Sequence, residues 1–380
     1  MTAYLPNPRA DRGLAYGDGE RQVLSLAAGD RACAEIESWP GYAPTPLVRL
    51  VGLAGELGLA ALLVKDEGAR FGVGSFKALG GAYAVRRLLA QKEPAAEVVV
   101  TCATDGNHGR AVAWAARTFG CRAIIYLHER VSRAREEAIA AYGALIMRSG
   151  GNYDDSVRRC AEDAARNGWR VVSDTAWPGY EDIPRDVMQG YTVMVREATA
   201  EMRATERPTH VLAQGGVGGL AAAVLSHFWE SLGAERPFFI VVEPDKADCL
   251  YRSAEAGERV AVGGELDTVM AGLACGEPST LAWRILERGA DCFVSIADDW
   301  ALKAMRRLAE PAGGDARIVA GESGGAGLAG LLAILSEPAL ARRAGLGSRS
   351  RVLVFNTEGA TDPGLYDSIV GSSSSSRRRT

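Results

Sequence analysis

The sequence predicts an α/β fold in which helices cover both faces of mainly parallel sheets. Short apolar runs alternate along the chain with longer stretches whose apolar residues recur at helical spacing. This alternation is typical of parallel sheets in which a helix connects each strand to the next. The predicted strands are 61–65, 98–102, 123–127, 145–148, 171–174, 211–214, 238–243, 292–296 and 352–356, and the predicted helices include 76–89, 109–119, 134–142 and 153–167.

The composition excludes several classes of protein. With 43 basic and 47 acidic residues, the formal net charge is −4, so a nucleic acid or an anionic membrane is not expected as a partner. The seven cysteines include no CxxC pair, and the chain has four histidines, so we predict no metal site. No apolar run is long enough to span a membrane, and the charged, proline-containing N-terminus does not resemble a signal peptide. These features predict a cytoplasmic protein with reduced thiols.

The first candidate site residue is Lys77, which lies one residue into a predicted helix, after the glycine-rich loop 72–75 and beside Phe76. A helix N-terminus mildly disfavours a cation. One interpretation is a solvated surface lysine. The other is a lysine that forms a Schiff base with an aldehyde after its amine has been desolvated.

A polar turn at residues 101–109 follows the predicted strand 98–102. Its donors and backbone N–H groups at the start of a helix could hold a substrate carboxylate, although plain N-capping also explains such residues. His108 is interpreted as a hydrogen bonder that stabilises the turn. The candidate substrate-binding residues of this turn are Thr104, Asp105, Gly106, Asn107 and His108.

A second glycine-rich loop lies between the predicted strand 211–214 and a helix. Its open N–H groups suit a phosphate. An alternative is a dinucleotide site, because residues 216–221 also fit the pattern G-x-G-x-x-[GA], and Glu243 ends the next strand where a ribose-binding acid would lie. The candidate phosphate-binding residues are Gly215, Gly216, Val217, Gly218 and Gly219.

The order Ser-Phe-Lys, Gly-Asn-His and glycine-rich loop resembles the fold-type II pyridoxal-phosphate enzymes. The resemblance implies that Lys77 binds the pyridoxal 5'-phosphate cofactor, that Phe76 packs against it and that Asn107 contacts its 3'-oxygen. It also implies two three-layer αβα domains with the cofactor in the cleft between them. We expect a large domain of residues 1–85 and 195–380, including an N-terminal arm and a disordered tail from 371 to 380, and a smaller inserted domain of residues 86–194.

Two acids and several further strings narrow this resemblance. In the serine and threonine dehydratases of this fold a small residue stands where this chain has Asp105, and a second acid, Asp174, ends the predicted strand 171–174. Further strings that match are residues 65–67, 113–116, 151–155, 188–191, 243–249, 270–278, 321–324 and 357–359. Over residues 41–366 the chain thus resembles the diaminopropionate ammonia-lyases.

The narrower resemblance implies a homodimeric lyase that eliminates ammonia from D- and L-2,3-diaminopropionate. Asp105 would act on the D-substrate and Asp174 on the L-substrate, with Lys77 assisting. Glu322 or the pair Asn356–Thr357 would face the pyridine nitrogen.

Three alternatives stay open at this point. Cys249 and Cys275, which lie in matching strings, form either a disulfide near the active site or two buried thiols. The motifs are also consistent with a serine/threonine-type dehydratase or another β-eliminating lyase. A non-catalytic cofactor- or dinucleotide-binding protein is the third.

Overall fold

The computed structural model describes residues 2–90, 94–104, 106–151 and 153–376, which form two β-sheets with helices packed around them. Within these ranges no helix is long and apolar enough to cross a membrane. The strands are β1 (Ala3–Pro6), β2 (Leu47–Arg49), β3 (Ala61–Asp66), β4 (Val99–Ala103), β5 (Arg122–Leu127), β6 (Leu145–Arg148), β7 (Arg170–Val171), β8 (His210–Gln214), β9 (Phe238–Pro244), β10 (Cys292–Ile296) and β11 (Arg351–Asn356).

Helices connect most of these strands, as the alternating pattern predicts. They are α1 (Asp18–Val23), α2 (Leu26–Glu37), α3 (Val51–Glu56), α4 (Lys77–Leu89), α5 (Asn107–Phe119), α6 (Arg133–Ala140), α7 (Tyr153–Asn167), α8 (Asp182–Glu201), α9 (Gly219–Leu232), α10 (Cys249–Ala256), α11 (Thr280–Gly289), α12 (Asp298–Ala309), α13 (Ala326–Leu335), α14 (Pro338–Arg343) and α15 (Pro363–Ser376).

The larger sheet has seven strands in the order β1-β10-β9-β8-β11-β3-β2. Its five inner strands are parallel, and the two edge strands β1 and β2 are antiparallel to their neighbours. Successive residues of β8 enter two different cores: Val211 and Ala213 pack on the side of α9, and Leu212 packs on the side of α13. A strand buried on both faces has no polar alternation, which explains its continuous apolar run.

The smaller sheet is fully parallel, with the order β6-β5-β4-β7. All its strands lie between residues 99 and 171, within the segment predicted as an inserted domain. Its last strand, β7, is shorter than the predicted strand 171–174. Asp174 therefore lies in the turn beyond the strand and not at the strand's end.

All nine predicted strands are present, so the prediction of a parallel-rich α/β fold is confirmed. The strands that the sequence analysis missed are β1, inside the predicted arm, and β2. Both are three or four residues long and lie at sheet edges, where antiparallel pairing with a neighbouring strand, β10 for β1 and β3 for β2, defines them. The sequence predicts a disordered tail from residue 371, whereas α15 begins at Pro363 and continues to Ser376. Residues 377–380 lie outside the described part.

Helix α4, which begins at Lys77, crosses α8 at two facing glycines. A Cβ atom on Gly80 would lie 2.4 Å from Cε1 of Tyr191 and from the carbonyl oxygen of Val187. A Cβ atom on Gly190 would lie 2.7 Å from the carbonyl oxygen of Leu79. The two backbones are therefore in direct contact, and this contact fixes the position of α4 relative to α8.

We predict that Gly190→Ala destabilises the protein, because the new methyl group must push the backbone of α4 away. Such overpacking costs about 1–3 kcal/mol, against a gain of about 1 kcal/mol from the higher helix propensity of alanine. The net loss of up to about 2 kcal/mol can be measured as a lower urea midpoint. Gly55→Ala in α3 is the matched control, since nothing lies within 4 Å of its added methyl group. An equal effect of both substitutions would contradict the close crossing.

Candidate active site

Lys77 is held at the carboxyl end of β11 by backbone hydrogen bonds of the loop before it. The N–H of Phe76 donates to the carbonyl of Thr357 (3.0 Å), and the N–H of Gly359 donates to the carbonyl of Gly74 (3.0 Å). Ser75 and Glu358 form an antiparallel bridge between these two bonds. The loop that leads into Lys77 is therefore paired to the chain like a short strand, which limits where the amine can reach.

The amine of Lys77 forms an ion pair with Asp174. It also lies 5.4 Å from the ring centre of Phe76 and 5.8 Å from that of Tyr191. Burial alone would lower the pKa of Lys77, but the charge of Asp174 outweighs it and raises this pKa. Burial alone would raise the pKa of Asp174, yet the charge of Lys77 lowers it overall. Both partners are therefore ionised at neutral pH.

His108 connects the start of α5 to the chain after β7. Its Nε2 lies 2.7 Å from the carbonyl oxygen of Val172, so this nitrogen carries a proton and donates it. Its Nδ1, 4.0 Å from Oδ2 of Asp174, has no hydrogen-bond partner among the described residues. Burial lowers the pKa of His108, which keeps the ring neutral. His108 thus stabilises this part of the site as a hydrogen bonder.

The polar turn after β4 is capped by Thr104. Its Oγ1 accepts hydrogen bonds from the N–H groups of Gly106 (3.0 Å) and Gly109 (3.2 Å), at the first turn of α5. A Cβ on Gly109 would lie 2.4 Å from Cγ2 of Thr104, so glycine is required for this contact. Asp105 lies outside the described residues, and its assigned role stays a prediction.

The predicted cofactor ligand Asn107, at the start of α5, donates through Nδ2 to Oε2 of Glu358. Glu322, from the segment before α13, forms an ion pair with Arg135 of α6. Burial, the larger cause, and the charge of Glu358 raise the pKa of Glu322 to about 7, although the charge of Arg135 opposes this shift. These two contacts connect α5 and α6, which pack beside the smaller sheet, to segments that follow or flank β11 of the larger sheet.

The sequence analysis did not single out three residues that border the site: Tyr191, Arg135 and Glu358. Tyr191 is buried, its ring packs against Phe76 with ring centres 4.6 Å apart, and its hydroxyl has no hydrogen-bond partner among the described residues. Tyr191 and Glu358 lie in strings on which the family resemblance rests, and this was the available signal for them. Arg135 had no such signal.

The second glycine-rich loop leads directly into α9. Gly216 (φ +62°) and Gly218 (φ +95°) have left-handed backbone conformations that favour glycine. A Cβ on Gly215 would lie 2.4 Å from Cγ of Glu243, which excludes any side chain there. Because the first N–H groups of a helix have no acceptor within the helix, the start of α9 can bind a phosphate.

Glu243 does not suit the alternative of a dinucleotide site. Its carboxylate is fully buried and accepts hydrogen bonds from the N–H groups of Leu250 (3.0 Å) and Tyr251 (2.7 Å) at the start of α10. Burial raises its pKa to about 8, although these hydrogen bonds oppose the shift. The carboxylate is thus used inside the protein, behind the glycine loop, and cannot bind a ribose hydroxyl.

Cys249 and Cys275 lie beside the glycine loop as two separate thiols. Cys249 is buried, and its Sγ lies 3.5 Å from the carbonyl oxygen of Gly216. The Sγ of Cys275 would lie 3.7 Å from a Cβ on the same glycine. Of the two alternatives that the sequence left open, the structure has two thiols and no disulfide between them, although Cys275 is only partly buried.

These residues fit pyridoxal phosphate. Lys77 supplies an amine for an aldehyde, and the loop of Gly216 and Gly218 leaves room for a phosphate at the start of α9. Phe76 and Tyr191 supply aromatic surface beside the amine. Within the described ranges, no group of His, Cys, Asp or Glu side chains is arranged to hold a metal ion.

Comparison with known proteins agrees with this chemistry. The family model described as "Pyridoxal-phosphate dependent enzyme" matches residues 38–358. The chain belongs to this family. It is 44% identical to the diaminopropionate ammonia-lyase of Escherichia coli (strain K12) over 349 residues, covering 87% of this chain and 88% of that protein. It is 40% identical to the diaminopropionate ammonia-lyase of Salmonella typhimurium (strain LT2), covering 93% and 95%.

A solved structure shares the fold over nearly the whole chain. The crystal structure of the Escherichia coli enzyme in complex with an aminoacrylate–PLP azomethine reaction intermediate superposes with a TM-score of 0.91, at 40% identity, covering 98% of this chain and 97% of that chain. The predictions of a fold-type II enzyme, of pyridoxal phosphate as cofactor and of a resemblance to the diaminopropionate ammonia-lyases are therefore confirmed.

The ion pair of Lys77 and Asp174 predicts how the cofactor-free protein takes up pyridoxal phosphate. The raised pKa of Lys77 keeps the amine protonated at neutral pH, so the rate of uptake should rise with pH. Asp174→Asn removes the raising charge but keeps the burial that lowers this pKa. Because a neighbouring opposite charge shifts a pKa by about 1–3 units, uptake near pH 7 should become about tenfold faster or more.

Stopped-flow absorbance after mixing cofactor-free protein with pyridoxal phosphate measures this rate. Asp182→Asn is the control, because Asp182 is an exposed carboxylate at the start of α8 that pairs with Arg185. An Asp174→Asn variant that takes up the cofactor at the rate of the unaltered protein would show that Asp174 does not control the protonation of Lys77.

Proposed function

We propose that this protein is a pyridoxal-phosphate-dependent lyase that converts D- and L-2,3-diaminopropionate and water into pyruvate and two molecules of ammonia. The observation that supports it most strongly is the pairing of Lys77 with an acid, Asp174, in a chain 44% identical to a diaminopropionate ammonia-lyase. When bound, the cofactor supplies an electron sink for the pair left behind when the α-proton departs.

Lys77 holds the cofactor and must be a neutral amine when it does so. Asp174, in contact with this amine, stabilises its protonated form until the proton is lost. Loss of the positive charge at Lys77 also changes Asp174, whose pKa is low because of that charge. Without it, burial dominates, and the carboxylate becomes a stronger base at the point where a substrate α-proton must be removed.

The two predicted acids also suit the substrate's second amine. A β-ammonium group in a site with little water needs negative charge nearby, which Asp174 and, by prediction, Asp105 provide. A serine or threonine hydroxyl at the same position needs no such charge. We therefore assign the acids to binding and protonation of the leaving amine as well as to removal of the α-proton.

The polar turn of Thr104 and Gly106 would bind the substrate carboxylate through the start of α5. Asn107 would contact the 3'-oxygen of the cofactor, and the glycine-rich loop 215–219 would bind its phosphate. Glu322 or Thr357 would face the pyridine nitrogen. Division into a large domain (1–85 and 195–380) and a small domain (86–194), a homodimeric assembly and a cytoplasmic location complete the proposal.

The products test the proposed function. With D- or L-2,3-diaminopropionate, the purified protein should release two ammonia molecules for each pyruvate, measured by coupled assays for both products. L-serine would give one ammonia for each pyruvate and should be a poor substrate. Efficient turnover of serine or threonine, with little activity on diaminopropionate, would instead identify a dehydratase.

Asn variants of the two acids test their division of labour. A positioned base contributes about 10²–10⁴-fold to the rate, and asparagine keeps the size of the side chain while removing the base. Asp105→Asn should impair turnover of D-diaminopropionate far more than that of the L-form, and Asp174→Asn should show the opposite bias. Steady-state kcat/KM for each enantiomer measures the effect.

Both variants should keep the visible absorbance of the bound cofactor, which serves as the control for an intact site. If each variant lost activity on both enantiomers equally, one shared base would have to serve both faces of the substrate.

A further inference from the structure

Glu358 is a buried carboxylate that joins three segments at the site. Its side chain is 3% exposed. Oε1 accepts a hydrogen bond from the N–H of Ser323 (3.0 Å), and Oε2 accepts one from Nδ2 of Asn107. Asn107 belongs to the first turn of α5 beside the smaller sheet, whereas Glu358 follows β11 of the larger one.

Two glycines, Gly321 and Gly324, leave room for the side chain of Glu358. A Cβ on Gly321 would lie 2.9 Å from Cγ and Oε1 of Glu358, and a Cβ on Gly324 would lie 3.1 Å from the same Cγ. These glycines line the pocket of Glu358, so the carboxylate has little freedom to move. A carboxylate held in this way gives a fixed direction to the group that donates to it.

The backbone of Glu358 is paired with the loop that leads into Lys77. The bridge between Ser75 and Glu358 is flanked by the bonds of Phe76 and Gly359 described above. The side chain of Glu358 therefore holds Asn107, while its backbone holds the loop before Lys77.

We infer that Glu358 is a positioning residue that orients the side-chain amide of Asn107 toward the cofactor. A carboxylate only accepts hydrogen bonds, so it selects the NH₂ end of the amide, not its oxygen. One N–H of that group donates to Glu358, which leaves the other free to donate to an acceptor such as the 3'-oxygen of the cofactor. This inference rests on the proposed function, in which Asn107 binds pyridoxal phosphate.

Glu358→Gln tests the inference. Ser323 donates to one oxygen of Glu358 and Asn107 to the other, so the NH₂ of a glutamine in the same position must oppose one of these donors. Loss of a hydrogen bond to a charged group corresponds to a roughly ten- to hundredfold weaker interaction. We expect the dissociation constant for pyridoxal phosphate, measured by titration of cofactor-free protein, to rise by about tenfold or more.

A double-mutant cycle shows whether the effect passes through Asn107. Asn107→Ala alone should weaken cofactor binding, and Glu358→Gln should add little in the Asn107→Ala background. The control is Asp362→Asn, another carboxylate that bonds across the two sheets, to Ser132 (2.9 Å), without contacting Asn107. The control should leave the dissociation constant unchanged.

The outcomes separate the two proposals. If Asn107→Ala weakens binding and Glu358→Gln does not, or if the two effects simply add, Glu358 does not act through Asn107 and the inference is overturned. If Asn107→Ala leaves binding unchanged, the assigned role of Asn107 in the proposed function fails first. Should Glu358→Gln not fold, Glu358→Asp replaces it: its carboxylate is one methylene too short for Asn107 and should weaken binding in the same direction.

Discussion

The other contacts of the site hold the two partners of one ion pair, Lys77 and Asp174, in place. Each side chain is about 18% exposed, so each charge is partly desolvated and is stabilised by the other. The pair also connects the first residue of α4 to the turn after β7, and so relates the two sheets at the proposed active site.

The structure holds both ends of this pair by backbone contacts. The loop before Lys77 is paired to residues 357–359, and α4 is pressed against α8 at Gly80 and Gly190. On the other side, His108 donates to the carbonyl of Val172, two residues before Asp174. Because main-chain groups and glycines provide these restraints, the side chains at the centre are left available for the cofactor and substrate.

The sequence predicted the elements whose signals are local. The nine parallel strands show as apolar runs, and Lys77 and the glycine loop lie at the helix starts where the motifs place them. The edge strands β1 and β2, the true end of β7 and the roles of Arg135 and Glu358 could not be predicted in this way. Asn107 and Glu358 are separated by 251 residues, and only the folded chain brings them together. The ion pair of Arg135 with Glu322 has the same origin.

We propose that the amine of Lys77 binds the cofactor covalently while Asp174 controls the charge of this amine. Reduction of the cofactor-loaded protein with borohydride, followed by peptide mass mapping, tests the covalent bond directly. We expect a single modified peptide in which Lys77 bears the reduced pyridoxyl group. A modification at another lysine, or loss of the cofactor without any modified peptide, would contradict it.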